Sequence, residues 1–156
     1  MSRHPQLDLD AQLCFPLYAA TRAVTRAYGP LLQDFGLTYP QYLTLLALWA
    51  DDQSLSVGEL GARLRLDSGT LTPVLKRLEQ AGYVTRRRDA VDERRVLVSV
   101  TATGRQLQDR VSDVPLRLVE SLGLDARESG QLRQLLGSLL DSLDAQAGPA
   151  PGGERR

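Results

Sequence analysis

The sequence predicts a mainly α-helical protein with one short β-hairpin near its centre, and three patterns carry that expectation. Apolar residues recur at three- and four-residue steps through most of the chain, the period of an amphipathic helix. Val96, Val98 and Val100 alternate with Leu97 and Ser99, the period of a strand. Capping residues and the glycines Gly36 and Gly82 mark where one periodic stretch stops and the next begins.

The elements follow in order. Leu9, Leu13, Leu17, Ala20, Val24, Ala27, Leu31 and Phe35 form one face of a long first helix, which Gly36 ends as a left-handed cap. Pro16 removes the bond to the carbonyl of Gln12, so the helix either kinks there or begins near Cys14. Gly29-Pro30 predicts a second kink. Thr38 to Pro40 open a second helix over about Gln41 to Asp51, with Trp49 in the core. Ser56 and Glu59 have capping-box spacing and start a third helix ending near Leu66. Asp67 or Ser68 caps a fourth, carrying Leu71, Val74, Leu75 and Leu78 and stopped by Gly82. Val84 opens a strand, Asp89 to Glu93 is a polar turn, and Val96 to Val100 returns. Thr101 caps a fifth helix that Pro115 bends or divides. Asp125 and Glu128 begin the last helix, whose leucines from Leu132 to Leu143 form a stripe too broad for one small domain to cover. The predicted organisation is a flexible 1–8, N-terminal dimerisation and sensor helices over 9–51, a central region over 52–100, C-terminal dimerisation helices over 101–145, and a disordered tail from Gln146 to Arg156.

The bulk properties exclude several classes. The chain has 156 residues, enough for one ordinary domain. No apolar run of about 18 residues exists, so no membrane span is predicted. Met1 to Asp8 lacks an apolar signal core, which predicts the cytoplasm. One cysteine cannot close an intrachain disulfide. Cys14 and His4 cannot fill a coordination shell alone, so no metal and no cofactor are expected. The net charge is zero, yet it is unevenly spread: −3 over residues 1–62, +5 over 63–110 and −2 over 111–156. Positive charge gathered in the middle third is a local phosphate-binding footprint, or else a solvated arginine-rich surface.

Two short helices, a tight connection and a hairpin make a winged helix-turn-helix. The fold class is therefore mainly α, a winged helix-turn-helix between long N- and C-terminal dimerisation helices. The helix over about Ser68–Ala81 would enter a major groove with its N-terminal residues toward the bases. Ser68, Thr70 and Thr72 are small hydrogen-bonding groups at that end, and Lys76 and Arg77 lie further along, nearer phosphates. Arg86, Arg87, Arg88, Arg94 and Arg95 crowd the two arms of the hairpin, and Arg86, Arg88, Arg94 and Arg95 are expected to bind DNA. An arginine at its tip suits a narrow, electronegative minor groove.

At the tip, Asp89-Ala90-Val91-Asp92-Glu93-Arg94-Arg95 resembles the wing signature of the MarR-type regulators. The stretch from Leu66 to Glu79 resembles the recognition helix of one branch, the organic hydroperoxide resistance repressors. Leu13-Cys14-Phe15, then Tyr28, then Leu37-Thr38-Tyr39-Pro40-Gln41-Tyr42 match that branch as well. The resemblance covers roughly residues 7–145. It implies that Asp92 shapes the wing and that Arg94 enters the minor groove of an operator. It also implies a homodimer on a pseudo-palindromic duplex, with Cys14 as the redox sensor, Tyr28 and Tyr39 in support, and release of DNA on oxidation. Two features depart from the branch: Pro16 stands in the sensor region, and no second, resolving cysteine is present.

A sensor thiol must react as the thiolate. No Lys, Arg or His neighbours Cys14 in sequence. A helix N-terminus and tyrosine hydroxyls are the available stabilisers. Leu13, Phe15 and Leu17 favour organic hydroperoxides over hydrogen peroxide. The product is a sulfenic acid, which a small external thiol can convert to a mixed disulfide. Other readings stand beside this one. A lone cysteine is ordinarily a small buried hydrophobe, and Tyr18 reads as a packing residue. A thiol peroxidase would need a matched base and a resolving cysteine. A MarR-type repressor released by a small aromatic ligand in the dimer crevice would leave Cys14 incidental.

Overall fold

The computed structural model describes residues 4–51 and 53–147. The chain divides into two units, one running to Leu118 and the other beginning at Val119. Single 3-10 turns occupy Pro5–Leu7 and Leu9–Ala11, the second capped by the Asp8 side chain. Helix α1 then runs Cys14–Leu32. The apolar series beginning at Leu9 is therefore not one helix, and of the two readings of Pro16 the later start holds. Pro16 lies in the first turn of α1, where its missing N–H would have no helical partner anyway. The helix continues through Gly29-Pro30. One more 3-10 turn, Gln33–Phe35, ends at Gly36, whose φ of 65° is left-handed.

Helix α2 covers Tyr39–Trp49 and starts two residues before the expected Gln41. Thr38 and Gln41 cap it reciprocally, with the Thr38 N–H donating to Gln41 Oε1 at 2.8 Å. A two-residue strand, β1 (Leu55–Ser56), precedes α3 (Val57–Leu64). The capping box of Ser56 and Glu59 starts α3. Arg65, at φ 55°, ends it in the left-handed region. Asp67 caps α4 (Ser68–Gln80), accepting from the Thr70 N–H at 2.9 Å. The hairpin strands are β2 (Val84–Arg88) and β3 (Val96–Val100). All three strands are antiparallel in the order β1-β3-β2, so β2 is an edge.

Helix α5 (Ala102–Arg110) and helix α6 (Val114–Leu122) are separate, with Pro115 in the first turn of α6, so the predicted fifth helix is divided. Helix α7 spans Ala126–Ala147. Asp125 and Glu128 cap it reciprocally: the Asp125 N–H donates to Glu128 Oε2 at 2.9 Å, and the Glu128 N–H donates to Asp125 Oδ1 at 2.8 Å. Gln146 and Ala147, placed in the tail by sequence, are helical; the first breaker is Gly148-Pro149. Residues 148–156 of the expected tail lie outside the described residues.

The core of the first unit joins Leu32, Leu37 and Tyr42 to leucines of α2, α3 and α4, with Val84, Val98 and Leu107 completing it. Trp49 is half-buried against this core rather than enclosed in it, and its Nε1–H donates to the Gly104 carbonyl at 3.0 Å. Gly104 is boxed in: a Cβ there would overlap the Tyr83 carbonyl oxygen and press on Val100 Cγ1. Gly104→Ala should therefore cost about 1–3 kcal/mol of stability through overpacking. An unchanged urea midpoint would contradict the assignment. In the second unit, Leu132, Leu135, Leu139, Leu140 and Leu143 are all exposed, Leu135 to 69%.

Candidate nucleic-acid interface and sensor cysteine

The apolar stripe of α4 (Leu71, Leu75, Leu78) is buried, which turns the opposite face outward. Ser68, Thr70, Thr72, Lys76 and Arg77 are all exposed there. Two of the hydroxyls are oriented by local bonds. Thr70 Oγ1 donates to Asp67 Oδ2 at 2.7 Å, and Thr72 Oγ1 donates to the Ser68 carbonyl at 2.6 Å. Asp67 is held below the usual carboxylate range by the Thr70 hydroxyl and backbone bonds, so the cap stays ionised.

The wing is built by its aspartates. Asp89 Oδ1 accepts from the Val91 N–H and Asp92 Oδ1 accepts from the Arg94 N–H, at 2.9 and 3.1 Å. Asp92 also takes Arg94 Nε at 3.2 Å, yet the Arg94 side chain is 92% exposed. Arg88 Nη1 donates to the Glu93 carbonyl across the turn. Arg95 bonds Glu59 of α3 at 3.4 Å and lies 3.9 Å from Asp89. Glu59 is kept below the carboxylate range chiefly by the Ser56 hydroxyl and N–H, with Arg95 adding to it. Between wing and helices lies an open cleft of about 470 Å³ lined by Ser56, Ser68, Thr72, Arg94 and Arg95, among others. Basic groups and hydroxyls thus converge on one concave face.

Arg86 stands apart from the other arginines. Its guanidinium and backbone N–H are both taken by Glu79 of α4. Spacing could not reveal that pair, since its members lie seven positions apart across the turn at Gly82. Glu59 was legible as a cap, but not as a partner of Arg95.

Cys14 is the first residue of α1, free and exposed. Tyr18 lies one turn on. It is 59% exposed; its hydroxyl accepts from Arg22 Nη1 at 2.8 Å, and the guanidinium lies 5.6 Å from its ring centroid. The rings of Tyr28 and Tyr39 stack at 4.1 Å and 17°, and Tyr42 tilts against Tyr28 at 5.8 Å. Burial pushes the Tyr28 hydroxyl up to about 12, with Tyr39 and Tyr42 adding to it. Burial raises Tyr39 too, against the opposing effect of its hydrogen bond with Tyr28. Both stay protonated at neutral pH. No group of His, Cys, Asp and Glu able to hold a metal ion occurs among the described residues, and no helix there is long and apolar enough to cross a membrane.

Two helices in tight succession, followed by an arginine-bearing hairpin, define a winged-helix transcriptional regulator. Residues 26–111 match the family described as Transcriptional regulator SarA/Rot, and the chain belongs to that family. It is 45% identical over 143 residues to the organic hydroperoxide resistance transcriptional regulator of Bacillus subtilis (strain 168), covering 92% of this chain and 95% of that one. It is 50% identical over 141 residues to the HTH-type transcriptional regulator TtmR of Methylorubrum extorquens (strain PA1), covering 90% and 72%. A solved structure of reduced AbfR bound to DNA superimposes with a TM-score of 0.73 at 37% identity, covering 91% of this chain and 99% of that one.

Proposed function

We propose that this chain is a dimeric, cytoplasmic repressor that senses organic hydroperoxides through Cys14 and leaves its operator when that thiol is oxidised. One observation carries the reading: a free, exposed cysteine begins α1 in a chain 45% identical to an organic hydroperoxide resistance regulator. The thiolate attacks the outer oxygen of the hydroperoxide, the O–O bond breaks, and an alcohol leaves. Cys14 becomes a sulfenic acid. A small thiol then displaces water to form a mixed disulfide. The protein is spent as a sensor in this cycle and is not an enzyme.

DNA binding is assigned to Ser68, Thr70, Thr72, Lys76 and Arg77 in the major groove, with Arg94 at the minor groove. Asp92, Arg88 and Arg95 shape and support the wing. The dimer is supported by the apolar side chains left in water at Leu13, Leu17, Leu116, Leu135 and Leu143, which a second copy would cover. Within the dimer, the Tyr28–Tyr39 pair of one subunit is assigned to the Cys14 of the other. In an anisotropy assay on bound duplex, an organic hydroperoxide should release the protein and a thiol reductant should restore binding. Release that the reductant fails to reverse, or no release at all, would refute reversible sensing.

A second reading is favoured by a cleft of about 340 Å³ lined by Tyr42, Leu46, Trp49, Gln108 and Val111. A small aromatic ligand there would release DNA without touching the thiol.

A further inference from the structure

The Glu79 carboxylate gathers three bonds from a single residue. Its Oε1 accepts the Arg86 backbone N–H at 3.1 Å, and its Oε2 accepts Nε at 3.0 Å and Nη2 at 2.6 Å. The two residues sit on different parts of the reading head, Glu79 in the last turn of α4 and Arg86 in the middle of β2. The backbone bond has a topological cause. β2 is an edge strand, so it has backbone donors with no strand beside them, and Glu79 covers one. The pair is also half-sequestered: the side chains are 27% and 36% exposed, against 92% for Arg94. A guanidinium bound through two nitrogens to one carboxylate has little left to offer a phosphate.

We propose that Arg86 is a positioning residue that, with Glu79, fixes the angle between the recognition helix and the wing and does not itself contact DNA. The proposal rests on the reading that α4 and the wing bind one duplex together. Major-groove and minor-groove contacts then form at once only if the angle between their carriers is set before binding. The bond from Arg95, the residue before β3, to Glu59 ties the start of the other arm to α3, so both arms are anchored to the helices. Glu79 is held below the usual carboxylate range chiefly by its bonds to Arg86, which keeps the pair charged at neutral pH.

The probe is the duplex that the wild-type protein selects from a random-sequence pool. Failure to select any duplex would sink the DNA-binding reading and this proposal together. With a duplex in hand, the two separate. Arg94→Ala should flatten the log–log salt dependence by about one unit per subunit, the signature of a lost phosphate or groove contact. Arg86→Ala and Glu79→Ala should each weaken binding by roughly tenfold with the slope unchanged, and the double variant should be no worse than either single one. Arg86→Lys covers the case in which Arg86→Ala fails to fold. A lysine keeps a phosphate contact but cannot reproduce the fork, so affinity should still fall by several-fold. A flattened slope in Arg86→Ala, wild-type affinity in Arg86→Lys, or tighter binding by Glu79→Ala would each overturn the clamp and leave the DNA reading intact.

Discussion

Cys14→Ser should bind the selected duplex as tightly as the wild type, within about twofold for an exposed residue of nearly equal size, and should not respond to hydroperoxide at all. A serine hydroxyl has no accessible oxidation ladder, and no other cysteine can substitute, since the chain has one. The recognition helix begins at Ser68 and the wing tip lies at Asp89 to Arg95, far along the chain from the sensor. The substitution therefore removes the input and leaves the output. Hydroperoxide-driven release of Cys14→Ser in a gel shift would end the redox reading. A variant still released by a small aromatic compound would favour the cleft beside Trp49 instead.

The second large effect concerns which subunit supplies the tyrosines. Cys14 and Tyr28 lie on one continuous helix, fourteen residues apart. At about 1.5 Å per residue the separation along the axis is roughly 21 Å. A tyrosine side chain cannot span that distance, so a Tyr28 that serves a thiol serves the partner's. Tyr39 is stacked on Tyr28 in the same subunit, so the two arrive as one unit. In a homodimer, Tyr28→Phe with Tyr39→Phe should slow thiol oxidation roughly thirtyfold, at about 1 kcal/mol for each of two hydrogen bonds lost. The decisive species is a heterodimer in which one chain carries Cys14→Ser and the other carries both Phe changes. Its only thiol faces intact tyrosines across the interface and should react at the wild-type rate. Slow oxidation there would place the tyrosines in cis and remove the shared site.

Most element boundaries were legible because their chemistry is local. Ser56 and Glu59, Thr101, and Asp125 with Glu128 announce helix starts within four residues, and Gly36 and Gly82 announce stops. The failures have physical causes of their own. The series from Leu9 kept helical spacing across a region that folds as a separate turn, since Asp8 offers a competing cap. β1 is two residues long, too short for any alternation to show. The two tail residues that proved helical, Gln146 and Ala147, are good helix formers ahead of the first breaker. In the site, residue types were readable and their pairings were not. Five arginines of the hairpin look alike in sequence. Only the fold shows that Arg94 faces water while Arg86 is held by a carboxylate on another element.

The bond from Trp49 to the Gly104 carbonyl gives the molecule an optical property. This is the only indole in the chain, so the entire tryptophan emission comes from one ring at the joint between α2 and α5. Emission energy depends on what the indole N–H donates to and how much water reaches the ring. The wavelength is thus a local gauge of whether that joint is shut, read on unlabelled protein and blind to events elsewhere. A stopped-flow mix with oxidant would time the joint itself, independently of any DNA in the cuvette.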